Sequence, residues 1–178
     1  MLLGPSALIW ERNTGYRSTM AGFPYDDLDG WRAHFPPAVF AEQFAKVSAG
    51  FHDGAERIRA LSGAERGARR RELEREAGVA EACGLHFGAA SRLTRFVSAR
   101  RALEAGTGDR KALVSTLKSL LEEERGAARR LLELQSHDSR IGFEASNQYY
   151  YVDVDLAEKV LNCTDLLERW IPALETAG

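Results

Sequence analysis

Pro36-Pro37-Ala38-Val39-Phe40-Ala41-Glu42-Gln43-Phe44-Ala45-Lys46-Val47-Ser48-Ala49-Gly50-Phe51 is the stretch that decides the fold class. Proline suits the first turn of a helix, where its missing N–H has no intrahelical partner to lose. Behind it Val39, Phe40, Phe44, Val47 and Phe51 recur at three- and four-residue spacing, and Ile58 and Leu61 extend the stripe. This spacing predicts an amphipathic helix over 37–61, with Phe40, Phe44, Val47 and Phe51 buried against later helices.

Further along, Ser62-Gly63-Ala64-Glu65 has the form of a capping box, and 65–104 is rich in Ala, Leu, Arg and Glu without proline. A second helical stretch of about 60 Å follows from its length at 1.5 Å per residue. Gly78, Gly84 and Gly88 interrupt it. Each costs about 1 kcal/mol against alanine in a helix, so a kink or break is expected near 78–88. Gly106-Thr107-Gly108-Asp109 closes that stretch and caps a third over 110–135, striped by Leu113, Leu117, Leu120, Leu121, Leu131 and Leu134. Asp155 with Glu158 opens a fourth over 155–175. Four amphipathic stretches can hide their apolar faces only against one another, so the expected fold is an all-α antiparallel bundle over 37–178. Residues 1–36 hold three of the five prolines and two of the three tryptophans, and read as an irregular arm packing on that bundle.

Composition sets the outer limits. A chain of 178 residues, 44% hydrophobic and 28% charged, has enough apolar surface for one real core. A formal charge of -2 gives no overall attraction to nucleic acid or anionic membrane. The densest basic run, Arg66, Arg69, Arg70 and Arg71, is interleaved with Glu65, Glu72, Glu74 and Glu76 and reads as a solvated helix face. Cys83 and Cys163 stand alone, which points to reduced thiols and, with no leader-like N-terminus and no long apolar run, to a cytoplasmic chain.

Metal and nucleotide chemistry find no pattern. The histidines His34, His52, His86 and His137 stand singly, and a di-iron bundle needs two Glu-x-x-His motifs. His86 reads as a packed imidazole. No Gly-rich phosphate loop or Gly-x-Ser-x-Gly occurs, so no cofactor is expected.

Two segments remain outside the helices. Gly22-Phe23-Pro24-Tyr25-Asp26-Asp27-Leu28-Asp29-Gly30-Trp31 alternates aromatics with acids; Asp138-Ser139-Arg140-Ile141-Gly142-Phe143-Glu144-Ala145-Ser146-Asn147-Gln148-Tyr149-Tyr150-Tyr151 gathers an arginine, two acids, two amides and three tyrosines. Flat aromatic faces suit the apolar side of a sugar ring, and carboxylates, amides and guanidinium suit its hydroxyls. Tyr25, Asp26, Trp31, Arg140, Glu144, Asn147, Tyr149 and Tyr150 are therefore the candidate carbohydrate-binding residues. The bland alternative is that the same side chains tie the connection together and cap the end of the bundle.

These two segments also carry a resemblance. Asp138 to Asn147, then Tyr149-Tyr-Tyr and Asp155-Leu-Ala-Glu-Lys-Val-Leu-Asn-Cys163, is similar to the C-terminal helical region of large, mostly uncharacterised bacterial proteins similar to glycoside hydrolases. Phe23 to Trp31, followed by Val39-Phe-Ala-Glu-Gln-Phe44, resembles the beginning of the same region. The likeness spans about 23–170 and is specific only in those stretches. It implies a detached or truncated, non-catalytic accessory domain, whose barrel-like partner domain would hold the hydrolytic machinery. Two alternatives stay open. The chain is an autonomous glycosidase using Glu144 with Asp26 or Asp138 as a carboxylate pair, which needs a separation of roughly 5 to 9 Å. Or it is a purely structural or oligomerisation bundle. A shared site requires the arm to lie beside the connection, and in an up-and-down bundle that requires the break in the second stretch.

Overall fold

The computed structural model describes residues 4–17, 26–144, 148–149 and 152–176. It is an all-α helical bundle. A one-turn helix α1 (Leu28–Trp31) precedes the long helices α2 (Pro37–Gly63), α3 (Gly67–Glu104) and α4 (Arg110–His137). A two-residue hairpin, β1 (Phe143–Glu144) and β2 (Gln148–Tyr149), pairs antiparallel with Phe143 opposite Tyr149. The last rod is α5 (Asp153–Asp165), which runs through a π-turn (Leu166–Trp170) into α6 (Ile171–Thr176). In that turn the Ile171 N–H bonds to Leu166 O, and Pro172, which has no N–H to continue the ordinary ladder, follows at once.

Helix α3 is continuous through the glycines that were expected to break it. Its partner explains why. Gly84 and Gly88 face α2: a Cβ on Gly84 would stand 2.5 Å from the His52 ring, and one on Gly88 would stand 3.0 Å from Ser48 Oγ. The Ser48 hydroxyl donates to Gly84 O at 2.7 Å. Glycine here lets two helices approach closely, a gain that offsets its weak helix propensity. On the α2 side the buried residues are also small, Ala41, Ala55 and Ser62.

That small-residue seam changes the role of α2. It packs chiefly on α3, and of its aromatic stripe Phe44 reaches the edge of the main core. Phe40 and Phe44 are half-buried, Val47 and Phe51 are exposed, and Phe87 of α3 sits at 6.0 Å from Phe44 and 5.6 Å from Phe51 by ring centroids. The expected burial of this stripe against the third and fourth stretches does not occur. The principal core is made instead by Leu93, Phe96 and Val97 of α3, Leu117 and Leu121 of α4, and Cys163, Leu166 and Ile171 of the last rod. A second cluster, Ala82, Leu85, Ala127, Leu131, Ile141 and Leu156, closes the end where the connection lies.

Capping differs from expectation at two of three places. Asp109 accepts from the N–H groups of Lys111 and Ala112 and caps α4 as its side chain predicts. Ser62 is buried at the end of α2, donating to Arg59 O, and α3 starts at Gly67 without a side-chain cap, so the predicted capping box is not formed. Asp155 lies inside α5 and reaches back to the Val152 N–H at 3.1 Å.

Residues 4–14 form a strap filling the gap between α3 and α5. Ala7 and Ile9 turn inward while Trp10 is exposed, a strand-like alternation with no partner strand among the described residues.

Candidate functional site

The arm and the connection belong to different ends of α3. Asp26 accepts from the Thr14 N–H at 2.8 Å, from the Thr14 hydroxyl at 2.7 Å and from Arg100 Nη2 at 3.3 Å. Asp29 accepts from Arg32 and from Arg101 Nη1. Asp138 instead binds Arg140 through both carboxylate oxygens and lies 3.6 Å from Arg75, while Arg140 Nη1 reaches Glu76 at 2.8 Å. From Glu76 to Arg100 a helix rises about 36 Å. Because α3 has no break, the condition for a shared site fails, and Asp26 and Arg140 are not brought together.

Tyr25, Asn147 and Tyr150 lie outside the described residues, and for Trp31, Glu144 and Tyr149 the structure describes the backbone alone. Among the candidates whose side chains are described, each charged group is engaged in the fold. Burial pushes the Asp26 carboxyl up, but the two Thr14 bonds and Arg100 outweigh it and leave it lowered. The Arg140 guanidinium holds Asp138 down at about 2. Neither carboxyl is protonated near neutrality, so neither is poised as a general acid. Arg140 takes up Asp138 in the planar two-pronged manner expected of it, within the connection and across to Glu76 on α3.

The arm end does carry a polar pocket, lined by Asn13, Tyr16, Arg17, Asp27, Asp29 and Arg101 among others, with a volume of about 110 Å³. Its size falls below the roughly 300–1,000 Å³ of clefts that enclose small-molecule ligands. Asn13, Tyr16 and Arg17 gave no sequence signal, because they precede the aromatic and acidic run and follow no period.

A different polar cluster lies inside the bundle. Glu124, from the middle of α4, is 1% exposed and receives Arg92 Nε of α3 at 2.5 Å. Lys159 of α5, with 0% exposure, stands 3.4 Å from the other Glu124 oxygen and donates to Ala7 O of the strap. Burial alone would raise the Glu124 carboxyl; Arg92 and Lys159 more than offset that and keep it low. Glu122-Glu123-Glu124 shows only consecutive acids in the sequence, and the i to i+3 register with Leu121 and Ala127 was the one available hint that Glu124 turns inward. Among the described residues no group of three or more His, Cys, Asp and Glu side chains converges as a metal site.

His86 packs edge-on to Phe87 with its ring beside Gly4, and burial lowers its pKa. Cys83 and Cys163 are free thiols, and burial pushes Cys163 up to about 11. No helix among the described residues is long and apolar enough to cross a membrane.

No protein-family model matches the chain, and neither a curated protein nor a solved structure matches it.

Proposed function

We propose that the chain is a non-catalytic helical accessory domain of a glycoside-hydrolase-like protein, docking on a barrel-like partner domain through the uncovered face of α2. One observation carries the docking: among the described residues, α2 keeps Val39, Val47 and Leu61 on a face that stands largely in solvent. Successive residues turn by about 100°, so Val39, Val47, Phe51, Ile58 and Leu61 fall within about 120° of one side, with Gln43, Gly50 and Gly54 among them. Val39 and Val47 are each 42% exposed, Phe51 37% and Leu61 62%. Charged residues Glu42, Lys46, Asp53 and Arg57 border that face. A contiguous apolar strip with a polar rim is the anatomy of a protein interface.

Of the two carboxylate pairs in the catalytic alternative, Asp26 with Glu144 has the weaker support. Asp26 is about 36 Å along α3 from the connection that holds Glu144, and Asp138 is bound by Arg140. Carbohydrate contact in this reading belongs to the connection, with Arg140, Glu144, Asn147, Tyr149 and Tyr150. The two free thiols, Cys163 buried and Cys83 half-buried, suit a cytoplasmic setting. A purely structural bundle is favoured by one specific observation, the engagement of Asp26, Asp138 and Arg140 in ion pairs of the fold itself.

The test has two arms. The purified chain is screened over aryl glycosides, with no turnover expected above buffer; turnover that vanishes in Glu144→Gln with folding unchanged overturns the accessory reading. The product of an adjoining barrel-encoding reading frame is then titrated with the chain. Micromolar or tighter binding that Val47→Asp abolishes supports docking, and equal binding by both chains overturns it.

A further inference from the structure

The strap of residues 4–14 is held in a way that ordinary loops are not. Its alternating side chains, Ala7 and Ile9, enter the space between α3 and α5, yet among the described residues no strand lies beside it to satisfy its backbone. Helix side chains do so instead. Lys159 Nζ donates to Ala7 O. The Asn162 amide takes both sides of one residue, accepting from the Ile9 N–H at 2.8 Å and donating to Ile9 O at 2.9 Å. Arg100 Nη1 donates to Trp10 O at 2.8 Å and to Arg12 O at 3.0 Å. Five hydrogen bonds therefore read an extended backbone without regard to its side chains. Selectivity is left to two inward positions, one taking a small residue and the next a branched aliphatic one, and to Glu11, whose carboxylate pairs with Arg169 Nη2 at 2.9 Å. Backbone bonds for affinity and alternate side-chain pockets for specificity are the terms on which proteins bind extended peptides.

We propose that the groove between α3 and α5 is a binding site for an extended peptide, occupied by residues 7–12 of the same chain and open to the same segment of a second copy. Lys159, Asn162 and Arg100 are the binding residues, and the buried Glu124, itself held by the half-buried Arg92, fixes the position of Lys159. The second copy is the occupant because it carries the one sequence already seen to fit: Ala7 and Ile9 in the inward positions and four carbonyls at the right intervals. Exchange of an identical segment between copies makes a dimer with no new interface chemistry, since each groove regains every bond it gives up.

The experiment uses the full chain with a protease site placed within 18–25, cut after folding. A fluorescent synthetic peptide of residues 4–14 is added to the cut chain, and anisotropy is followed as the resident segment is replaced. Saturable uptake is expected, at least ten-fold weaker for a peptide carrying Ile9→Asp and at least ten-fold weaker for a cut chain carrying Asn162→Ala. The uncut chain, concentrated and examined by sedimentation, is expected to form a dimer that excess peptide dissociates. Loss of helical circular dichroism on cutting overturns the proposal, because the strap is then a part of the fold and not an occupant. A folded cut chain that takes up no peptide overturns it as well. Peptide uptake by a cut chain whose uncut form stays monomeric at every concentration overturns the second copy as occupant.

Discussion

At the residue scale, the side chains that matter most are the buried charges. Taking Glu124, Lys159 and Arg92 out of water is costly, and the cost is met only while all three face one another. Glu124→Gln removes the single anion and leaves two cations buried together. The expected loss is about 3–5 kcal/mol, measured by urea unfolding, whereas Glu123→Gln on the exposed side of the same turn is expected to change stability by less than about 0.5 kcal/mol. Asp138 gives a separate test through pH. Its folded pKa, about 2, lies below the unfolded value near 3.9, so its stabilisation is complete above the unfolded value and fades as pH falls toward 2. Asp138→Asn is therefore expected to flatten the acid limb of the stability curve between about pH 4 and 2, read from thermal midpoints across that range.

Elements show a second kind of decision, made where two helices meet. Glycine in mid-helix normally invites replacement: Gly→Ala gains about 1 kcal/mol from propensity. Gly78 meets only Leu134 at 3.6 Å, an ordinary contact, so Gly78→Ala is expected to stabilise by roughly 0.5–1 kcal/mol. Gly84 is the opposite case, because the new methyl would stand 2.5 Å from the His52 ring. Overpacking costs about 1–3 kcal/mol and outweighs the propensity gain, so Gly84→Ala is expected to destabilise. Pairing it with His52→Ala should restore most of the loss, as a double-mutant cycle by denaturant midpoint would measure. A helix truly broken at 84 would give no such coupling.

Across the whole molecule, what could be read in the sequence was the periodicity, and what could not was which face meets which. The helices at 37, 110 and near 155, the all-α class and the Asp109 cap follow from local spacing. Phe40, Phe44, Val47 and Phe51 form a stripe in the sequence, but the stripe carries no sign of whether a neighbour covers it. Only the run Ser48, Ala55 and Gly84, Gly88, read jointly, tells that α2 turns its small residues to α3. The strap eluded the sequence because two inward residues, Ala7 and Ile9, are too short a pattern to count as a strand. The shared site failed for the same reason as the predicted kink: Gly84 and Gly88 had two meanings, and packing chose the one that keeps α3 straight.

That packing choice yields the last prediction, on the outer face of α2. Since Val47 and Leu61 touch water on this face, replacing them removes little that folding has buried. Val47→Asp with Leu61→Glu is expected to shift the urea midpoint by an amount equivalent to less than about 1 kcal/mol, within the ordinary range of surface changes. The same pair of charges breaks the apolar strip and should sharply reduce retention on a hydrophobic-interaction column and binding of an apolar dye. Had the face been covered by α4 or α5, each substitution would bury an unpaired carboxylate and cost several kcal/mol. A large midpoint shift would therefore place α2 inside the bundle, while a small one with lost retention places its apolar face outward, where a partner domain can reach it.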